Sequence, residues 1–108
     1  MIARIWHGWT KPGNATAYED MLRDEIFPSI AARNIKGYRG AELFIYKNGA
    51  EVEFITIMLW ESIDAIRAVA GADYESAVIP EERRKYLARY DPKSAHYDVA
   101  SVHGIGVM

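Results

Sequence analysis

Residues 52–60, VEFITIMLW, put uncharged side chains on both faces of a strand, and this run limits the folds open to the chain more than any other. Alternation sets Val52, Phe54, Thr56, Met58 and Trp60 on one face and Glu53, Ile55, Ile57 and Leu59 on the other. From Phe54 onward neither face carries a charge. An open antiparallel sheet with helices on one side normally leaves its other face wet, so two apolar faces predict two covers. One is the chain's own helices; the other is expected to be a second copy of the sheet. The partner strand precedes it at 38–47, and Asn48-Gly49 between them suits the positive φ angles of a tight type I′ hairpin turn.

The rest of the chain supplies the helices. Residues 2–10 alternate as a first strand, with Ala3, Ile5, His7 and Trp9 opposite Ile2, Arg4, Trp6 and Gly8, and Lys11-Pro12-Gly13 breaks it. Asn14 is the expected N-cap of a helix whose stripe is Tyr18, Met21, Leu22, Ile26 and Ile30, and Pro28 is expected to kink it or end its regular part. Ser62 is expected to cap a short helix over 63–70 that leaves at Gly71. A helical turn is expected over 73–78, then a helix over 81–90 behind Pro80, with Tyr86, Leu87 and Tyr90 inward. Residues 94–99 read as a last strand, and the tail 101–108 either extends it or swings onto a partner. The order βαββαβ predicts an α+β fold of the ferredoxin-like kind, a four-stranded antiparallel sheet with both helices on one face.

At 108 residues the chain is expected to form one domain over 1–108. Thirteen basic and fifteen acidic residues give a net charge of −2 without blocks of either sign, which disfavours nucleic acid and membrane surfaces as partners. There is no cysteine, and no run reaches the ~20 apolar residues of a membrane span. With no signal-peptide pattern at the start, a cytoplasmic location is expected.

Motifs for nucleotide binding, zinc peptidases and serine hydrolases are missing, and His7, His96 and His103 stand too far apart for a sequence-local metal site. The candidates are therefore polar groups among aromatic ones. Trp60 ends a strand just before a helix cap, where it either walls a cleft or fills the core. His7 and His96 are candidate proton acceptors, or else histidines hydrogen-bonded within a core or interface. Tyr74 and Tyr86 either pack or donate to a ligand. Arg4 is the nearest strand-borne cation, able to hold an oxyanion or simply to pair.

The segments MIARIWHGWTKPGN, GYRGAELF, VEFITIMLWES and SAHYDV, in this order and spacing, resemble the antibiotic biosynthesis monooxygenase family of dimeric α/β-barrel proteins. The resemblance covers nearly the whole chain. It implies a homodimer whose sheets face each other inside a barrel. It also implies oxidation of a phenolic or quinol-like aromatic by O₂ with no flavin, metal or haem. By position, Trp60 matches the aromatic that borders the family's pocket. His7 or His96 would then take the phenol proton, and Tyr74, Tyr86 and Arg4 would contact substrate. A histidine often borne on the family's second helix is absent from IDAIRAVAG, and 66–79 holds neither histidine nor tryptophan, which argues against a haem role. A non-catalytic barrel that binds a small aromatic compound, or an interaction module of the same fold, is the alternative.

Overall fold

Three long strands carry the architecture, and the register between two of them decides which residues can meet. In the computed structural model, which describes residues 1–77 and 79–104, β1 (Ile2–Thr10) lies at the centre. It pairs antiparallel with β3 (Val52–Trp60) along its whole length, from Ile2 opposite Trp60 to Thr10 opposite Val52. Even-numbered residues of both strands therefore share a face. The hairpin partner β2 (Tyr38–Lys47) lies beyond β3, with a bulge between Tyr38 and Gly40.

The other edge of β1 is covered in two pieces. β4 (Arg89–Tyr90) pairs at Gly8 and Trp9, and β5 (Ala95–Asp98) pairs along Ile2 to Ile5. The expected four-stranded plan is present, with its last strand interrupted at 91–94. There the indole Nε1 of Trp6 donates to the Asp91 carbonyl at 2.9 Å. A side-chain donor thus uses a carbonyl that the strand gives up.

Helix α1 (Pro12–Met21) starts two residues before the expected Asn14 cap. Pro12 takes the first position, where its fixed φ suits a helix and its missing N–H costs nothing. Asn14 lies inside the helix, its side chain reaching the Tyr86 carbonyl at 3.5 Å. A π-helical turn, Leu22–Ile26, follows, closed by the Phe27 N–H on the Leu22 carbonyl. This wider turn puts Pro28 in the first turn of a new segment, α2 (Phe27–Ala32), so proline interrupts the regular helix without ending it. Asn34, at φ 50°, then turns the chain out of the helix.

Three further expectations change. The hairpin is not a two-residue type I′ turn: Lys47 pairs with Val52 across four loop residues, and only Gly49 takes a positive φ, 86°. The Asn48 side chain accepts from the Glu51 N–H at 3.1 Å, giving the loop a polar brace the expected turn would lack. The helix behind Pro80 is a single turn, α4 (Glu81–Arg84), because Ala88 and Asp91 donate backbone hydrogen bonds to Trp9 and His7 and so draw this segment into the sheet. Residues 73–77 form a turn and a bridge between Ser76 and Lys93 in place of a helical turn. Val78 and residues 105–108, on which the expected turn and tail also bear, lie outside the described residues.

Helix α3 (Ile63–Ala70) agrees with its signals: the Ser62 Oγ accepts from the Ala65 N–H, and Gly71 leaves at φ 87°. Gly37 is required by space as well as by its φ of 86°, since a Cβ there would stand 2.6 Å from that of Ala65. Tyr18 and Leu22 meet Val52 and Phe54 in the core, with the Tyr18 and Phe54 rings edge to face at 5.0 Å. Burying side chains of this size contributes about 1.5–3 kcal/mol each.

The helices cover only the even-numbered face of β1 and β3. On the other face lie Ile5, Ile55, Ile57 and Leu59 from the central strands, flanked by Phe44, Tyr46 and Tyr97, which are 48%, 60% and 55% exposed. Among the described residues no element covers them.

Candidate functional site

Strand alternation and register bring Arg4, Thr56, Met58 and Trp60 onto the face that looks toward the helices. Between them and the helical stripe lies a cavity with two lobes that share Arg4, Ile30 and Met58. The first lobe, about 140 Å³, is bounded by Tyr18, Leu22, Phe27 and Ser94 and by Arg83 at its edge. The second, about 320 Å³, runs along α3 past Trp60, Ile66 and Val69, with Arg33 at its edge. No acidic side chain lines either lobe.

Arg4 stands where the lobes meet. It faces His96 across the β1–β5 pair, and its Nη1 lies 2.9 Å from His96 Nε2. The same nitrogen donates to the backbone carbonyl of Tyr74. A guanidinium can only donate, so Nε2 of His96 must accept and the imidazole proton resides on Nδ1. No carboxylate among the described residues pairs with Arg4. Burial draws its pKa down from the ordinary arginine value, which leaves a partly desolvated cation in the cavity wall.

His96 is held below the usual histidine range first by burial and then by the charge on Arg4; Glu75 and a backbone hydrogen bond at Ser94 oppose the shift. It is therefore neutral at pH 7. The Tyr74 ring meets its imidazole edge to face at 5.0 Å, and the Arg67 guanidinium lies 5.2 Å from the centre of that tyrosine. Arg67, Tyr74, His96 and Arg4 thus form one series of ring contacts and hydrogen bonds from α3 to β1.

Trp60 is 4% exposed, and its Nε1 has no acceptor among the described residues. Tyr38 packs against it edge to face at 5.3 Å. A buried indole N–H without a partner costs on the order of 1–3 kcal/mol, and this one is shielded from the lobe that its ring lines. In the first lobe, burial pushes the Tyr18 hydroxyl up to about 12, although Arg83 draws it down. Tyr18 is thus a neutral hydroxyl over the working range of most enzymes.

Of the expected site residues the structure puts Arg4 and Trp60 in the cavity lining; His96 and Tyr74 touch Arg4 but line neither lobe, and His7 and Tyr86 lie apart. His7 is odd-numbered in β1 and lies on the opposite face of the sheet, where its Nδ1 is 2.8 Å from the Glu53 carboxylate. Trp9 stacks near it at 6.0 Å, with the Arg89 guanidinium 3.9 Å from the Trp9 ring centre. Tyr86 packs beside Tyr18 in the core, its ring 5.3 Å from the Lys85 ammonium, and lines neither lobe. Tyr18, Arg33 and Arg83 are the cavity residues that sequence reasoning missed. Tyr18 was visible only as part of a helical stripe, and the two arginines carried no signal in the sequence.

Among the described residues no three histidine, aspartate or glutamate side chains gather as a metal site, and no helix is long and apolar enough to cross a membrane. No protein-family model matches the chain, and no curated protein matches it by sequence. Among solved structures it is similar to the crystal structure of a Bacillus cereus protein described as a "putative antibiotic biosynthesis monooxygenase", at 16% identity and a TM-score of 0.68. The match covers 99% of this chain and 98% of the other. At that identity the likeness shows a shared fold.

Proposed function

We propose that the cavity between sheet and helices binds a flat phenolic or quinol-like molecule and promotes its oxidation by O₂. One observation carries this reading. Arg4, a cation without a carboxylate partner among the described residues, stands in an otherwise largely apolar wall beside a neutral histidine. The name of the Bacillus cereus fold neighbour supports the same class of chemistry.

The chemistry follows from charge. A phenol bound at Arg4 ionises more readily, because the developing oxyanion is held by a guanidinium in a poorly hydrated site. His96, held against Arg4, is the group assigned to take the proton. For that, its hydrogen bond to Arg4 is exchanged for one to the substrate, which frees an Arg4 N–H for the oxyanion. The resulting imidazolium is tolerated beside Arg4 because the phenolate lies with them. The electron-rich phenolate then reduces O₂. For conversion to a quinone, the ring gives up two hydrogens and four electrons and gains one oxygen atom; the second oxygen leaves as water. Trp60 walls the pocket, and Tyr74 holds His96 and Arg4 in place.

A second copy of the chain would cover the outer sheet face, where Ile55, Ile57 and Leu59 lie between exposed aromatic residues. That pairing gives the barrel expected from the sequence. His7 and Glu53 would then lie in the interface, as a positioned pair away from the substrate.

Oxygen uptake by chelator-treated protein, offered a panel of phenols and hydroquinones, tests the reading. Saturable uptake that is lost in Arg4→Gln and Trp60→Ala variants is expected. Saturable binding with no uptake identifies a non-catalytic carrier instead, a reading favoured by the engagement of the His96 lone pair by Arg4.

A further inference from the structure

The two lobes of the cavity differ in what they offer a ligand. The polar groups that the second lobe offers are the guanidiniums of Arg4 and Arg33, which can only donate hydrogen bonds; the Trp60 ring lines it with its Nε1 shielded. The remaining lining is aliphatic or thioether, including Ile30, Met58 and Ile66. Arg4 uses Nη1 for His96 and the Tyr74 carbonyl, which leaves Nη2 and Nε without partners among the described residues. Trp60 Nε1 is buried with no acceptor, and Arg33 makes no ion pair among the described residues. The first lobe shares Arg4 and adds Arg83, but it also carries the hydroxyls of Tyr18, Thr56 and Ser94, which both donate and accept.

We infer that the second lobe is a carboxylate subsite, and that the preferred ligand is an aromatic acid whose carboxylate sits between Arg4 and Arg33, beside the Trp60 ring, while its own ring reaches the first lobe. The inference rests on the cavity proposed above as the ligand site. A phenol or an amide brings a proton for which no side chain of the second lobe is an acceptor. A carboxylate brings only lone pairs, and its flat fork matches a guanidinium. The aliphatic lining beside the donors suits a single charge on an apolar body better than a highly hydrated polyanion. The chain as a whole is slightly acidic, at −2, so this gathering of arginines without acids departs from the average surface. Arg4 lines both lobes, so its Nε and Nη2 can meet the carboxylate while a phenol oxygen on a ring in the first lobe meets the Nη1 that His96 gives up.

The test is a calorimetric titration of the intact protein with naphthalene-2-acetate and with naphthalene-2-acetamide, equal in size and differing in charge. The acid is expected to bind at least about tenfold tighter, the scale of charge-assisted hydrogen bonds. Arg33→Gln, at an exposed position, should cut that preference severalfold while retaining the wild-type melting temperature, and Arg33→Lys, which keeps the charge without the planar fork, should cut it less. Equal affinity for the two probes, no binding of either, or a preference unchanged in both variants overturns the inference. Oxygen uptake plays no part in this titration. An acid preference without uptake from any phenol sinks the oxygenase reading and leaves the subsite standing, and uptake without an acid preference does the reverse.

Discussion

Arg4 and His96 lie directly opposite each other on adjacent strands, and the 2.9 Å contact between them fixes the state of both. The arginine can only donate, so the histidine must be neutral to accept. The neutral histidine in turn gives a half-buried cation a partner that does not cancel its charge.

Removing that cation is expected to have the largest effect on turnover. Arg4→Gln should lower the rate of oxygen uptake about 10²- to 10³-fold, as for the loss of an oxyanion donor. Arg4→Lys keeps the charge without the planar fork and should recover only part of the rate. Steady-state oxygen electrode measurements on both variants, with melting temperatures as a control, check this.

Acid should weaken the fold through His96. Its folded pKa lies below the ordinary value of 6.5, so the unfolded chain binds the proton more readily. The stability that the neutral imidazole contributes is present above pH 6.5 and is lost as pH falls through the depressed folded value. Chemical denaturation between pH 8 and pH 4 should show less acid destabilisation for His96→Asn than for the wild type. Parallel curves for the two proteins would count against the depressed pKa.

Base should act through Tyr18. Burial raises its hydroxyl from 10 to about 12, so its contribution is complete below pH 10 and is lost as pH climbs through about 12. Tyr18→Phe keeps the ring that packs on Phe54 and removes the ionisation. Its melting temperature should therefore fall less steeply than that of the wild type above pH 10.

The apolar part of the outer face, bordered by Glu42 and by the His7–Glu53 pair, should not tolerate a further charge at its centre. On the proposed pairing of two sheets the wild type should be a dimer, and Ile57→Asp is expected to give monomers or aggregates by light scattering. An intact dimer in the variant would place the contact between copies elsewhere.

The fold was largely legible because strand alternation and helical stripes survive in the bare sequence. Val52 to Trp60, the stripe of Tyr18 and Leu22, and the Ser62 cap each carry their own signal. The two-piece last strand was not legible: 81–90 has the composition of a helix, and it is the Ala88 and Asp91 hydrogen bonds to β1, formed across the fold, that overrule it. The candidate site was legible by parity alone. Arg4 and Trp60 are both even-numbered, but they share a face only because Ile2 pairs with Trp60, and a shift of one residue would have brought His7 to the cavity instead. Arg33 and Arg83 owe their places to tertiary packing, which has no local signature.

The pairing of Ile2 with Trp60 makes β1 and β3 a two-sided instrument. Even positions can be altered to suit a new ligand, and odd positions to suit a new neighbour, with little cross-talk between the two adjustments. A single inserted residue within either strand is different in kind. It would exchange the two sides beyond the insertion, turning ligand-facing groups outward and outer groups inward, so length is far more constrained here than identity.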